Sequence, residues 1–257
     1  MGLARPTVTR TRLRLGVKGR PRELYMCGKA NARRHRINET FFDTIKTIEA
    51  AYCLGLLYAD GWIMKQDAVG LSSIDYELLV RLKRALATTV PISPCKRYSL
   101  QHSPSWSLVV CSRKLVRALI ALGCVQRKSS ILRFPAATLV PVKLRPAFVH
   151  GYWDGDGCVT GIARNISFNF VGTLHFLSGI AAELTTVGLP SIVPRPHGNV
   201  YRIEYHGRGS VYRFVTYLRA SGTTGLKRKW RRLHAKNAAP IYALRGSPFG
   251  CCTPRCP

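Results

Sequence analysis

The sequence predicts an α/β fold of the α+β type, built from two copies of one unit of about 95 residues. The first observation is an internal repeat, because segment 51–62 recurs as segment 147–158 and its flanks recur with it. The second is that helical and strand-like hydrophobic spacing alternate in the same order in both copies. The third is length, since 257 residues can bury a core large enough for two such units.

Each unit opens with a short apolar helix that ends in Asp-Gly, at Asp60 in the first unit and Asp156 in the second. A strand and a helix follow, predicted at 70–74 and 76–86 in the first unit and at 167–171 and 174–184 in the second. A later strand and a second helix are predicted at 106–110 and 115–122, and at 201–205 and 211–218. The expected order per unit is helix, two strands, helix, two strands or a ribbon, then helix.

Small residues recur four positions apart in the opening helices, as Gly55 with Ala59 and as Gly151 with Gly155. Residues with that spacing share one helix face, and their small size lets two helix backbones approach closely. We therefore predict that the two opening helices pack side by side.

The residues that could bind a cation lie at the ends of these two helices. Asp60 and Asp156 are predicted at helix C-termini, where the helix dipole favours a cation. Gly61 and Gly157 are predicted to take the left-handed conformation that ends a helix. Paired helices would bring the two carboxylates together, and a divalent cation would relieve their repulsion.

The charge of the chain indicates a polyanionic partner. Forty Lys and Arg residues oppose 12 Asp and Glu, for a net charge of +28. Nucleic acid fits best because neutralised phosphates release counterions, although a membrane surface or a ribosome would also attract such a chain. Of the six aspartates, three (Asp60, Asp154 and Asp156) lie in the repeated segments, so the scarce acids are concentrated there.

The nine cysteines do not form a disulfide or zinc pattern, because most are scattered without paired spacing. The cluster Cys251, Cys252 and Cys256 lacks a nearby histidine and is typical of an unstructured end rather than a metal site. Free thiols, and the lack of an apolar leader or a long apolar run, favour an intracellular protein without a membrane segment. Arginine outnumbers lysine 28 to 12, which favours the cytoplasm of a bacterium or a phage-infected cell and leaves an organelle open.

Five regions are expected along the chain. They are a basic N-terminal arm (1–40), the first repeat (41–132), a proline-containing linker (133–142), the second repeat (143–237) and a disordered tail (238–257).

Segments 53–61 (CLGLLYADG) and 149–157 (VHGYWDGDG) resemble the nine-residue signature of LAGLIDADG homing endonucleases, and the likeness extends from about Phe42 to Leu233. The resemblance is to the free-standing, single-chain, double-motif members. It implies a monomer of two pseudo-twofold-related αββαββα repeats whose strands form a saddle on double-stranded DNA. It also implies a site-specific endonuclease that makes staggered, metal-dependent breaks at a long recognition site.

The resemblance assigns site residues as well. Asp60 and Asp156, with Gly61 and Gly157 beside them, are expected to bind Mg²⁺ or Mn²⁺ at the scissile phosphates. The sixth motif position is Tyr58 in one copy and Asp154 in the other, so Asp154 is expected to support the site rather than to be an obligatory ligand.

A basic residue is expected near each metal, and Lys128 and Lys229 fit this role at the ends of their repeats. They would polarise the attacking water or steady phosphate charge. Contact with phosphate from the surface is the open alternative for both lysines.

DNA reading is expected from polar side chains that alternate with apolar ones along the strands, since such groups can contact base edges. The candidates are Asn165, Ser167, Asn169, Arg202, Glu204 and His206. Trp106 and Trp153 are expected in the core.

Two other functions remain open. A maturase that binds intron RNA would have the same fold and charge, and a catalytically silent DNA-binding regulator would be expected to lose one or both aspartates. Protein splicing is disfavoured, because the chain begins with Met1 and lacks a terminal His-Asn.

Overall fold

A computed structural model describes residues 35–64, 67–95, 104–125, 131–161 and 165–234. The described residues from Ile37 onward belong to one compact unit that holds both repeats. Four sequence predictions lie outside the described residues: most of the basic arm, the C-terminal tail, the cysteine cluster at 251–256 and Lys128 with its basic neighbours.

The first repeat begins with helix α1 (Ile48–Ala59), followed by strands β1 (Gly61–Met64) and β2 (Ala68–Ser73). Helix α2 (Tyr76–Ala85), strands β3 (Ser93–Pro94) and β4 (Trp106–Cys111) and helix α3 (Arg113–Ala121) complete it.

The second repeat has the same order of elements. A single 3₁₀ turn (Val142–Leu144) leads into helix α4 (Arg145–Asp156), strands β5 (Gly157–Thr160) and β6 (Ser167–Gly172) and helix α5 (Leu174–Thr185). Strands β7 (Arg195–His197) and β8 (Val200–His206), then helices α6 (Gly207–Arg219) and α7 (Lys227–His234), follow.

Each repeat folds its four strands into one antiparallel sheet, with strand order β1-β2-β4-β3 in the first and β5-β6-β8-β7 in the second. The αββαββα order predicted for each unit is confirmed. The strands that the sequence did not locate are β1 and β5, which start directly at the motif glycines, and the very short β3 and β7.

Side-chain caps fix where several helices begin. Thr47 accepts a hydrogen bond from the Ala50 amide at the start of α1, and Thr173 accepts one from the Phe176 amide at the start of α5. Such caps satisfy backbone amides that have no partner inside the helix. α4 instead has a proline in its first turn, where the missing N–H costs nothing.

The core is continuous across both repeats. α1 and α4 are buried on almost all sides. In the second repeat, the ring of Trp153 of α4 and that of Phe168 both pack against the ring of Phe214. Trp153 is in the core, as predicted. Trp106 is partly buried and packs against the core. No helix among the described residues has the length and apolar character needed to cross a membrane.

The segment expected as a linker packs into the protein. Val140 is fully buried, and the Phe134 ring sits where a side chain on Gly179 of α5 would otherwise lie. The Thr173 hydroxyl donates to the Leu132 carbonyl oxygen. The connection between repeats therefore contributes to the core of the second repeat.

Candidate metal centre and nucleic-acid interface

Glycines bring α1 and α4 into backbone contact. A Cβ atom on Gly55 would lie 2.0 Å from the Phe148 carbonyl oxygen, and one on Gly151 would lie 2.0 Å from the Tyr52 carbonyl oxygen. Both separations are far shorter than van der Waals contact, so no larger side chain fits without moving a backbone.

A local twofold axis relates the two glycine contacts to each other. Gly55 faces Phe148 of the other helix, and Gly151 faces the equivalent residue Tyr52, 96 positions earlier in the chain. Nearer the helix ends, a Cβ atom on Gly155 would lie 2.4 Å from that of its equivalent, Ala59. All four small residues predicted at the helix interface therefore lie at it.

The prediction of a left-handed conformation at Gly61 and Gly157 is wrong. Neither is among the residues with positive φ, and Gly157 is extended, with φ −94° and ψ 157°. Glycine is required there for space: a Cβ atom on Gly61 would lie 2.5 Å from the Leu57 carbonyl oxygen, and one on Gly157 would lie 2.0 Å from the Trp153 ring. These glycines let each strand turn tightly away from its helix.

The close packing sets the two carboxylates side by side. Asp60 caps the C-terminus of α1, and Asp156 is the last residue of α4. A Cβ atom on Gly155, next to Asp156 in α4, would lie only 3.2 Å from Asp60 Oδ2. Burial, and after it the charges of Asp156 and Asp60, raise the pKa of the Tyr152 hydroxyl.

The donors present suit a small divalent cation. Two carboxylates meet at the negative ends of two helix dipoles, so a cation is favoured there. Among the described residues, no group of three or more His, Cys, Asp or Glu side chains could hold a metal by itself. Mg²⁺ is commonly held in proteins by one or two carboxylates together with water and substrate phosphate, and the pair Asp60 and Asp156 can supply those carboxylates.

Asp154 does not join this pair. It is 1% exposed, and its Oδ2 atom accepts hydrogen bonds from the Tyr52 hydroxyl at 2.6 Å and the Leu226 amide at 3.1 Å. Burial raises the pKa of Asp154 to about 6, although these hydrogen bonds oppose the rise. Asp154 therefore ties α4 to α1 and to the loop before α7.

Lys229 of α7 lies against the end of α4. Its ammonium group donates to the carbonyl oxygens of Trp153, of Asp154 at 2.8 Å and of Gly157 at 2.6 Å, with Gly155 further away at 3.3 Å. Burial lowers the pKa of Lys229 to about 8, and the charges of Asp154 and Asp60 offset part of that effect. The donors of Lys229 are thus engaged by the backbone that carries Asp156, so the surface phosphate contact left open for it is excluded.

The second sheet presents a polar outer face. Phe168, Phe170, Ile203 and Tyr205 are buried in the core, and the side chains between them alternate to the other face, as predicted. Asn165 is exposed just before β6, and His206 is exposed at the end of β8. A concavity of about 560 Å³, lined by Arg195, His197, Arg202, Glu204 and His206 among others, opens on this sheet.

Two of the residues expected to read DNA are not free surface groups. Ser167 and Asn169 are each 3% exposed, because β6 lies between β5 and β8. Ser167 Oγ donates to Glu204 Oε1 at 2.8 Å, and Arg202 Nη2 lies 2.9 Å from the same oxygen. The exposed candidates are Asn165 and His206, with Arg202 and Glu204 half-buried.

Residues that join the repeats escaped the sequence analysis. Arg81 of α2 binds Glu49 through two hydrogen bonds of 2.6 and 2.8 Å and also donates to the Thr224 carbonyl oxygen at 2.6 Å. The guanidinium group of Arg228 of α7 donates to both carboxylate oxygens of Asp75, at 2.7 to 3.0 Å. Thr224 and Arg228 are more than 140 positions from these partners, and no local pattern indicates such pairs.

Tyr152 also escaped the sequence analysis, although a signal was present. It stands at the fourth motif position, where the first copy has Leu56, and it lies one helical turn before Asp156. A hydroxyl at an otherwise apolar position next to an acid is the pattern that would have identified it.

No protein-family model matches the sequence, and no curated protein matches it. The structure of the homing endonuclease I-WcaI bound to its DNA recognition sequence is similar, with a TM-score of 0.55 and 11% identity over 74% of this chain and 87% of that one. This likeness shows a shared fold. Two further matches are the N-terminal LAGLIDADG domain of DUF199/WhiA (TM-score 0.48, 12% identity, 76% and 93% covered) and the meganuclease I-SmaMI on uncleaveable DNA with a TTCT central four (TM-score 0.48, 13% identity, 69% and 86% covered).

Proposed function

We propose that this protein is a site-specific, metal-dependent DNA endonuclease that makes staggered double-strand breaks at a long, asymmetric site. The observation that carries the proposal is the pair of carboxylates, Asp60 and Asp156, which backbone-level helix packing holds side by side at two helix ends. The net charge of +28 and the fold shared with a DNA-bound homing endonuclease support DNA as the substrate.

The two aspartates would hold Mg²⁺ or Mn²⁺ at the scissile phosphates. The bound cation supplies positive charge to the phosphate and makes a nearby water more acidic. The protein's own contribution is position: the glycine contacts fix the helix ends, and fixed charges need no reorganisation during the reaction. Two related helix ends, one from each repeat, would serve the two DNA strands.

Lys229 contributes indirectly in this scheme. Its ammonium group donates to carbonyl oxygens in the last turn of α4 and to that of Gly157 just after it, and it neutralises part of the negative end of that helix. A residue held in this way acts on Asp156 through the backbone, rather than on water or phosphate. Lys128 stays a prediction for the first repeat.

The DNA would lie along the outer faces of the two sheets. On the second sheet Arg202, Asn165 and His206 offer hydrogen-bonding groups to base edges, and Arg195 adds positive charge beside them. A single chain with two repeats needs no second copy to present two helix ends, which supports action as a monomer.

A cleavage selection tests the proposal. The full-length protein is incubated with a randomised duplex library and Mg²⁺, and cut ends are captured and sequenced. We expect one long, asymmetric site cut on both strands, with no cutting in EDTA. If no duplex is cut, while the protein binds one duplex sequence specifically or one intron RNA, the protein is a DNA-binding regulator or a maturase and the proposal is wrong.

A further inference from the structure

The outer face of the first sheet, which is turned away from the core, carries no charged side chain in the strand positions that the structure describes. Strand pairing arranges the outer side chains of this face in three rows across the sheet. Counted from the end where β1 begins, the rows are Ser72 with Ser107 and Ser93, then Trp62 with Gly70 and Val109, then Met64 with Ala68 and Cys111. The side chains between them, such as Leu71 and Leu108, are buried in the core.

The second and third of these rows form an apolar surface that is partly open to solvent. Met64 is 49% exposed, and Trp62 and Val109 are half-buried. A Cβ atom on Gly70 would lie 2.2 Å from Cζ2 of Trp62, so the indole rests on the bare backbone of β2. Because Trp62 stands two residues after Asp60, this apolar surface begins next to the end of α1.

The equivalent rows of the second sheet carry polar and charged groups. In the same order they are Val171 with Arg202 and Arg195, then Cys158 with Asn169 and Glu204, then Thr160 with Ser167 and His206. Arg202 Nη2 lies 2.9 Å from Glu204 Oε1, which holds the guanidinium group on this face. Arg202 also stands directly opposite Arg195, and like charges at opposed positions repel each other unless an acceptor lies near both.

The major groove of DNA offers a different group to each kind of face. Thymine carries a methyl group that apolar side chains can contact, whereas guanine presents two acceptors, O6 and N7, that one arginine can bind together. A methyl group placed against an apolar side chain is removed from water, which favours binding. A guanine or cytosine edge placed there loses its water without gaining a hydrogen bond, which opposes binding.

We propose, resting on the proposed function, that the two sheets recognise different bases. The first sheet selects thymine by contacts of Trp62 and Met64 with its methyl group, and the half-site over this sheet is rich in A·T pairs. The second sheet selects guanine through Arg202, which Glu204 holds in place before DNA arrives. The two half-sites therefore differ in the chemistry that the protein reads, methyl groups in one and hydrogen-bond acceptors in the other.

The test uses binding and does not require cleavage. The full-length protein selects duplexes from a randomised library in Ca²⁺ at fixed salt, and Arg202→Ala identifies the half-site over the second sheet as the one whose preference relaxes. Deoxyuridine then replaces thymidine in one half-site at a time, which removes only methyl groups. We expect about 3- to 5-fold weaker binding for each contacted methyl group in the half-site over the first sheet, and little change in the other. Deazaguanine that lacks N7 should weaken binding about 5-fold or more in the half-site over the second sheet.

Met64→Ser assigns the methyl contact to the first sheet, with Ile120→Ser as its matched control. Both remove an exposed apolar side chain of the first repeat, at 49% and 43% exposure, but Ile120 lies on α3 and not on the sheet. The ratio of affinities for the thymidine and deoxyuridine duplexes should fall about 3-fold in Met64→Ser and stay unchanged in Ile120→Ser. Trp62→Ser repeats the measurement at the middle row, and thermal melting shows that each variant is folded.

The outcomes separate this inference from the proposed function. If the selected duplex is bound but not cut in Mg²⁺, the proposed function fails, and the deoxyuridine comparison still decides how each sheet recognises bases. If the duplex is cut, but the half-site over the first sheet is rich in G·C pairs, only this inference fails. It also fails if the affinity ratio is the same in Met64→Ser, Trp62→Ser and the unaltered protein. Selection of no particular duplex overturns both.

Discussion

The outer faces of the two sheets carry different chemistry on the same strand order. The described strands of the first sheet have no charged residue, and their outer face shows Trp62 lying across Gly70, with Met64, Ser72 and Cys111 exposed. The second sheet presents arginine, glutamate and histidine side chains on the equivalent strands.

The two helix ends differ in the same direction. Asp60 follows Leu56 and Tyr58, whose hydroxyl donates to the Leu122 carbonyl oxygen in the first repeat. Asp156 instead has Tyr152 beside it and the Lys229 ammonium group on its helix end. Glycine packing gives both repeats the same backbone arrangement, while the polar groups around the two helix ends differ. An asymmetric DNA target is the expected consequence.

The largest effect is expected from the shared part of the two repeats. Gly151→Ala would place a Cβ atom 2.0 Å from the Tyr52 carbonyl oxygen, so α1 and α4 must separate. We expect a loss of at least about 3 kcal/mol in the free energy of unfolding, measured by urea denaturation. Gly209→Ala is the control, because its nearest neighbour would be Arg213 Nη1 at 3.6 Å, and alanine there should stabilise α6. Equal stability of the two variants would contradict the close packing.

Lys229→Met sharpens the difference between the helix ends. It keeps the length of the side chain but leaves the carbonyl oxygens of Asp154 and Gly157 without their donor. The expected cost in the free energy of unfolding is about 1–3 kcal/mol. The control is Lys227→Met, on the exposed side of the same helix, which should change stability little. A Lys229→Met variant as stable as the control would show that Lys229 does not support α4.

The contrast between the sheets predicts unequal DNA contacts. We expect Arg202→Ala to weaken binding to the selected duplex by about 1–3 kcal/mol and to relax sequence preference in one half-site. Ser72→Ala, on the outer face of the first sheet, should have little effect on affinity. Binding measured by fluorescence anisotropy in Ca²⁺ at fixed salt checks both. A larger loss from Ser72→Ala would reverse the assignment of the two faces.

The smallest effect on stability is expected at Asp154, which stands at the position equivalent to Tyr58. Burial raises the pKa of Asp154 to about 6, so its contribution to stability is fully present below pH 3.8 and is lost as the pH rises through 6. Asp154→Asn keeps an acceptor for Tyr52 and Leu226 and removes that loss. The melting temperature of the variant minus that of the unaltered protein should therefore increase from pH 4 to pH 7. A constant difference across that range would contradict the shift.

The sequence was sufficient for the parts of the fold that depend on local spacing and on the repeat. The αββαββα order and the pairing of α1 with α4 through Gly55 and Gly151 follow from such patterns. The conformation of Gly61 was wrong because space around Leu57, rather than backbone freedom, requires glycine there. The bond between Arg228 and Asp75 depends on how distant segments pack, which no local pattern reports.

The placement of the candidate site residues was predictable to the same extent. Asp60 and Asp156 were selected as candidates because acids are scarce and the motif repeats, and the structure places both at the paired helix ends. The partners of Lys229 were not, because a lysine among basic neighbours reads as a surface residue until burial is known. The burial of Ser167 and Asn169 was missed for a similar reason. Alternation along a strand shows which residues share a face of the sheet, and it does not show which strands flank that strand.

The most direct test of the central claim compares Asp60→Asn and Asp156→Asn on the selected duplex. Each substitution keeps the shape of the side chain and removes one negative charge from the carboxylate pair. We predict that each variant loses double-strand cleavage by at least about 100-fold in Mg²⁺, while its affinity for the duplex in Ca²⁺-free buffer stays equal or increases. Cleavage retained by both variants, or binding lost in step with cleavage by a folded protein, would contradict the account.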